Sequence, residues 1–313
     1  MSPDNSALIA LGGNALILPG EKGYIKEQFR HTDACMRPIA SLISHGWKIV
    51  ITHGNGPIVG NILLRNECAR KYIPPMPLYI CVADSQGGIG SMMAESLNTN
   101  LGKLSLDKTA AAIITHVVVE RDDPAFGEPT KPIGPYYPED IARRYMNQGW
   151  LMRNISGRGW RRLVPSPRPK KIVEIESIKA VFENGFVPIA AGGGGIPVIE
   201  EDKGFRGVDA VIDKDLSASL LARESGLERL IILTDVDGVY LQWESTRRKK
   251  LTTLSIDEAK TYHIEGQFPA GSMGPKIEAA IEFIGAGGKE VIIAKPEELE
   301  AAMKGKAGTR ILP

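Results

Sequence analysis

The chain has 313 residues, 43% hydrophobic and 24% charged, with a formal net charge of +1. That length holds one large α/β domain or two smaller ones with a sizeable core, and the near-neutral balance excludes broad attraction to nucleic acid or membranes. Three widely spaced cysteines, Cys35, Cys68 and Cys81, with no C-x-x-C, exclude a disulfide framework or a cysteine zinc site.

The start "MSPDNSALIALGGN" has no basic segment and too short an apolar run for a signal peptide. No apolar run approaches a membrane span. A soluble, cytoplasmic protein is expected.

In chain order, short continuous apolar runs read as strands: 7–11 "ALIAL", 47–52 "WKIVIT", 111–119 "AAIITHVVV", 186–191 "FVPIAA", 229–234 "RLIILT" and 290–294 "EVIIA". Non-alternating, β-branched runs of this kind suit a parallel sheet covered on both faces. Helical patterns lie between them. "PIVGNILLRNECAR" opens on Pro57 at a first-helical-residue position, with Val59, Ile62 and Leu63 on one side. "GPKIEAAIEFIGAGG" sets Ile277, Ala280, Ile281 and Ile284 on one face and then meets glycines. The alternation predicts an α/β fold.

One segment breaks the pattern. Residues 121–170 are rich in proline and arginine. Proline fixes φ and removes a donor, so the part up to Pro138 is not expected as an internal strand. Its length reads as a functional lid, with an interdomain linker as the alternative. Trp150, Trp160, Tyr136 and Tyr137 favour packed structure, and thus the lid.

Three strands run into glycine loops: "LGGN" (11–14), "THGNGP" (52–57) and "AAGGGGIP" (190–197). Ligands of open parallel sheets bind beyond the carboxyl ends of strands. There, glycine lets backbone N–H groups approach an anion, and the next helix adds positive potential. No G-x-G-x-x-G fingerprint or P-loop is complete, and the protein-kinase triplets are absent. The first loop carries no cation of its own. Three lysines could supply the charge that phosphoryl transfer needs. Lys214 stands where a run becomes a helix, and Asp215 beside it either orients an ammonium or caps the helix. Lys276 is in the first turn of an amphipathic helix, where the dipole disfavours a cation. Lys131 is held between prolines in the lid. His53 adjoins a loop but is given no catalytic role, and the other histidines form no metal spacing.

At this point the chain resembles the carbamate kinases of the amino acid kinase family over nearly its whole length. The motifs, in order, are "IALGGNAL", "ITHGNGPIVG", "DPAFGEPTKPIGPYY", "AAGGGGIPV", "GVDAVIDKD", "LTDVDGVY" and "GSMGPKIEAA". Many other family members begin K-x-G-G, whereas Ala10 stands at that lysine's place here. The resemblance implies a three-layer α/β/α fold with a mostly parallel central sheet and a protruding lid subdomain near 121–170. It implies one domain over 1–313, with the part to about 215 serving carbamate and phosphoryl groups and 216–313 serving the nucleotide. Lys131, Lys214 and Lys276 would supply the charge, held by Asp215. Gly12, Gly13 and Asn14, with Gly54, Asn55 and Gly56, would hold carbamate and the transferring group. Gly193, Gly194, Thr234, Asp235, Val236, Tyr240, Met273 and Gly274 would lie near the nucleotide.

The implied reaction is reversible phosphoryl transfer between ATP and carbamate, with Mg²⁺ on the nucleotide, in arginine or related nitrogen catabolism, by a homodimer. Carbamate already carries a nucleophilic oxygen, so no general base is required. The rivals are a kinase of the same fold acting on another carboxylate or phosphate, such as glutamate or UMP, and a non-catalytic nucleotide-binding regulator.

Overall fold

A computed structural model describes residues 5–13, 17–18, 21–155, 157–243, 245–269 and 271–313. An eight-stranded sheet forms the centre, in the order Thr253–Ser255, Thr309–Leu312, Glu290–Ala294, Arg229–Leu233, Ser6–Leu11, Lys48–His53, Val187–Ile189, Ala110–Ala112. Every pairing is parallel except that of Glu290–Ala294 with Thr309–Leu312.

The layers follow from the two-residue period of a strand, which sends successive side chains to opposite faces. Leu8, Ala10, Leu230, Ile232, Val291 and Ile293 pack into one cluster, against the helices Lys214–Glu224 and Met273–Gly285. Ala7, Ile9, Leu11, Ile231, Leu233, Ile292 and Ala294 pack into another, against the helices Ile25–Ser44 and Leu78–Lys103. Both faces are therefore covered, which is why these strands read as unbroken apolar runs. Among the described residues, no helix is long and apolar enough to cross a membrane.

Registry places the loops. Leu11 pairs with His53 on one side and Leu233 on the other, and Leu233 pairs with Ala294. Four adjacent parallel strands thus end level, and the chain leaves them at Gly12, Gly54, Thr234 and Lys295 along one edge.

The run 111–119 is not one strand. Ala110–Ala112 closes the main sheet, while His116–Val119 belongs to a four-stranded sheet with Gly204–Gly207, Ile196–Glu201 and Pro169–Ile172. At the break, the Gln86 amide accepts from Thr115 N–H at 2.8 Å and donates to Thr115 C=O at 3.1 Å, while that carbonyl also accepts from Ile196 N–H of the second sheet at 2.9 Å.

The proline-rich segment holds a three-stranded antiparallel sheet, Lys131–Tyr137, Trp160–Val164 and Met152–Asn154, with the helix Glu139–Met146. Lys131–Tyr137 is an edge strand, where prolines are tolerated. Its aromatics pack: Tyr145 stacks on Trp150 at 4.2 Å between centroids and meets Tyr137 edge-on at 5.2 Å. The segment does not merely protrude. Ile133 and Val164 join Val59 and Leu63 of the helix Gly56–Ala69 in a third apolar cluster. Gly60 and Gly134 let the two backbones touch, since a Cβ on Gly60 would lie 2.0 Å from the Gly134 Cα.

Candidate active site

A cavity of about 890 Å³ opens at the carboxyl edge of the main sheet. Its lining includes Gly12, Gly13, Gly54, Asn55 and Gly56 from the first two loops, Lys131 from the three-stranded sheet, and Lys214, Asp215 and Lys276 from two helix starts. Thr234, Asp235, Val236, Tyr240 and Met273 also line it. Asn14 lies outside the described residues.

The glycines act differently from the expectation. The N–H of Gly12 donates to Leu233 C=O at 3.0 Å and that of Gly54 to Leu11 C=O at 2.8 Å. Both extend the sheet's hydrogen bonding, so neither is left for an anion. What these glycines provide is the absence of a side chain. A Cβ on Gly54 would lie 2.7 Å from Gly13 N and 3.1 Å from the Lys214 Cδ. Gly54 therefore lets two loops meet and a lysine stem cross them.

The available N–H groups are at the start of the helix Gly56–Ala69. First-turn N–H groups have no intrahelical partner, and this first turn contains no acidic residue. The N-cap, Asn55, makes no side-chain cap, because its amide donates instead to Ser85 Oγ at 2.8 Å. An uncapped helix start lining a cavity favours an anion.

Asp215 is the electrostatic centre. Almost fully buried, it accepts from Lys214 Nζ at 2.5 Å through one oxygen and from Lys276 Nζ at 3.1 Å through the other. Burial alone would raise its pKa, but the two ammoniums overcome that and hold it well below the usual carboxylate range. Lys276 also donates to Ser272 C=O at 3.2 Å. Burial opposes its charge, and Asp215 outweighs burial, raising its pKa. Lys214 has its pKa lowered, first by burial and then by the neighbouring Lys276, against the pull of Asp215.

Of the two roles open to Asp215, orienting ammoniums is the one observed. The cap of the helix Lys214–Glu224 is Asp213, whose carboxylate accepts from Asp215 N–H at 2.9 Å. Its other oxygen accepts from Lys131 Nζ at 2.5 Å. Lys131 is therefore an ion-paired, half-buried lysine rather than a free surface one.

Gly193 and Gly194 are placed differently from each other. Gly193 lines the cavity against Asn55, where a Cβ would meet the Asn55 amide at 2.2 Å. Gly194 does not line the cavity and sits against Ile212 C=O at φ +93°. Gly274 is also off the lining, buried against Pro269 C=O. His53 is buried beside Gly192, and burial pushes its pKa down to about 4, so the ring is neutral at physiological pH. Sequence reasoning missed Asp213, Arg161, Trp243 and Lys295, all lining the cavity. The D-K-D triplet, an aspartate just before a helix, was the available signal for Asp213. The arginine-rich lid gave no way to single out Arg161.

The sequence profile of the amino acid kinase family matches residues 5–295. The chain belongs to the amino acid kinase family. It is 47% identical over 309 residues to the carbamate kinase of Pyrococcus furiosus, covering 98% of each chain. It is 44% identical to a carbamate kinase-like protein of Escherichia coli, covering 97% of this chain and 98% of that one. Among solved structures, the carbamate kinase of Giardia lamblia bound to AMP-PNP superposes with a TM-score of 0.92 at 42% identity, covering 100% of this chain and 99% of that one. The three-layer architecture is this family's fold. Ala10, at the place of the lysine that opens K-x-G-G in many relatives, is fully buried on the sheet face that packs against the Lys214–Glu224 helix.

Proposed function

We infer that the protein is a carbamate kinase, interconverting ADP and carbamoyl phosphate with ATP and carbamate. The observation that carries the reading is Asp215 holding Lys214 and Lys276 together in a cavity shared by the glycine loops and the 234–240 loop, with Lys131 on its wall. Two anionic reactants must approach each other, and the charge between them must be neutralised. Preorganised cations achieve this without rearrangement during the reaction.

In this reading the phosphoryl group lies between Lys131, Lys214 and Lys276, near the uncapped start of Gly56–Ala69. Gly12, Gly13, Asn14, Gly54, Asn55 and Gly56 shape the acceptor end. Thr234, Asp235, Val236, Tyr240 and Met273 line the nucleotide end, with Gly274 supporting the turn beneath. The part up to about 215 serves the acceptor, and 216–313 serves the nucleotide. Mg²⁺ enters with the nucleotide as part of the substrate. Its charge offsets that of the phosphates, and among the described residues there is no cluster of three His, Cys, Asp or Glu to hold it independently. A neutral His53 suits an acceptor that is already anionic.

The proposal extends to a homodimer working in the cytoplasm, in arginine or related nitrogen catabolism. Sedimentation of the purified protein checks the dimer. Supplying ATP with carbamate, glutamate, acetylglutamate or UMP tests the acceptor. Turnover with carbamate alone is expected. A preference for another acceptor, or ATP binding without turnover, would replace this reading with one of its rivals.

A further inference from the structure

Four of the basic side chains lining the cavity are Lys131, Lys214, Lys276 and Arg161. Each of the three lysines has a carboxylate: Asp213 for Lys131, and Asp215 for the other two. Among the described residues, Arg161 has none. It projects from the strand Trp160–Val164 to the same cavity wall as Pro132 and Ile133. Its Nε donates to Gly134 C=O at 2.9 Å, at the point where the register with Lys131–Tyr137 shifts and Gly134 takes φ +75°. The guanidinium carbon lies 5.4 Å from the Tyr136 ring centroid, and Arg158 lies at 5.4 Å from the same ring.

One edge of the guanidinium is thus fixed by a backbone carbonyl and one neighbour is an aromatic ring. Arg158, on the same ring, repels it. Burial pulls the Arg161 pKa down, with Arg158 adding to that and the Tyr136 phenol opposing it. Burying a charge without a counter-charge is costly, and an anionic ligand in the cavity would remove that cost.

We propose that Arg161 is a substrate-binding residue that grips the carboxyl group of carbamate, and the carbonyl oxygen of carbamoyl phosphate, through its terminal nitrogens. This rests on the carbamate kinase reading above. Position favours the acceptor over the nucleotide. The strand pair carrying Arg161 packs on the helix Gly56–Ala69, next to the 54–56 loop that this reading gives to the acceptor. Chemistry agrees, since a guanidinium is a planar fork that matches a planar carboxyl group, while lysines act as point charges suited to a phosphoryl group. In the ATP-forming direction the bond from phosphorus to the carbamoyl oxygen breaks and a bond to the ADP terminal oxygen forms. The electron pair leaves on carbamate and spreads over both its oxygens, to which the Arg161 guanidinium donates hydrogen bonds.

The test compares the wild type with Arg161→Ala and Arg161→Lys. Steady-state rates are measured against carbamoyl phosphate and against ADP, with and without sub-denaturing guanidinium chloride. The KM for carbamoyl phosphate should rise about 10- to 100-fold, the span for losing charge-assisted hydrogen bonds. The KM for ADP should stay within about twofold, because uniform loss of one substrate's binding leaves the other's intact. Lysine should not restore affinity, and added guanidinium should partly restore the alanine variant, which a purely structural role would not allow. An unchanged KM for carbamoyl phosphate, a parallel rise for ADP, or no rescue would overturn the assignment. If Arg161→Ala fails to fold, Arg161→Lys decides by the same KM comparison. A wild type that makes no ATP from carbamoyl phosphate would overturn the carbamate kinase reading itself, and this assignment with it.

Discussion

Lys276 and Asp215, 61 residues apart in sequence, meet at 3.1 Å in the cavity wall. The contact explains a lysine in a helical first turn, where the dipole repels it. A buried carboxylate, already drawn toward Lys214, holds it there. Asp215→Asn keeps the shape and removes the charge. It should leave two largely buried ammoniums without a carboxylate and cost about 3 kcal/mol of stability, the scale of breaking a buried pair. It should also lower kcat/KM by about 10²- to 10³-fold, as when one preorganised electrostatic element is lost. Thermal melts and steady-state kinetics on one preparation check both figures.

Lys131→Ala separates chemistry from folding. The lysine pairs with Asp213 but remains over a third exposed, so the pair should contribute under about 1 kcal/mol. The drop in kcat/KM for carbamoyl phosphate should nevertheless be ~10²-fold or more. ADP affinity, read by calorimetry, should persist. Near-normal turnover would leave the charge to Lys214 and Lys276 alone.

His53 gives a pH signature. Its folded-state pKa, about 4, lies below the ordinary 6.5. The unfolded chain therefore takes up a proton that the folded protein refuses. Above about pH 6.5 the group adds no pH dependence, and its contribution is progressively lost as pH falls toward 4. The full loss is about 3 kcal/mol, at ~1.4 kcal/mol per unit. Denaturant titrations across this range should show the decline, and NMR of the ring should show neutral His53 at pH 5. A ring titrating near 6.5 would contradict its burial beside Gly192.

Gly60→Ala weighs two opposing effects. Within a helix the change normally stabilises by up to about 1 kcal/mol. Here the new methyl would lie 2.0 Å from the Gly134 Cα, and overpacking of backbone against backbone costs about 1–3 kcal/mol. The clash should win, lowering the melting temperature. Because Gly134 also receives Arg161 Nε, the KM for carbamoyl phosphate should rise as well. A more stable variant with unchanged kinetics would show that the helix and the strand separate freely.

The parts of the fold most legible in the sequence were those buried on both faces. Ser6–Leu11, Arg229–Leu233 and Glu290–Ala294 read as strands because nothing polar interrupts them. The run 111–119 misled for the same reason, since an apolar string does not reveal that Thr115 turns its N–H to Gln86 and its C=O to Ile196 of a second sheet. The lysines and Asp215 could be named from their settings and the family resemblance, but their pairing is a tertiary property. Asp213 was hidden by the more conspicuous Asp215. The glycines were expected to turn backbone N–H groups to an anion; they are positions of close approach, and Gly12 and Gly54 spend their N–H groups on the sheet. Gly193 and Gly194 follow a strand as the other loops do, and only the fold shows that they face Asn55 and Ile212.

The most direct measurement is ATP formation by the purified protein from MgADP and carbamoyl phosphate, followed alongside carbamoyl phosphate loss. The account predicts one ATP for each carbamoyl phosphate consumed beyond its spontaneous breakdown, with the rate collapsing in Asp215→Asn. Consumption without ATP, no consumption above the spontaneous rate, or full activity in Asp215→Asn would contradict it.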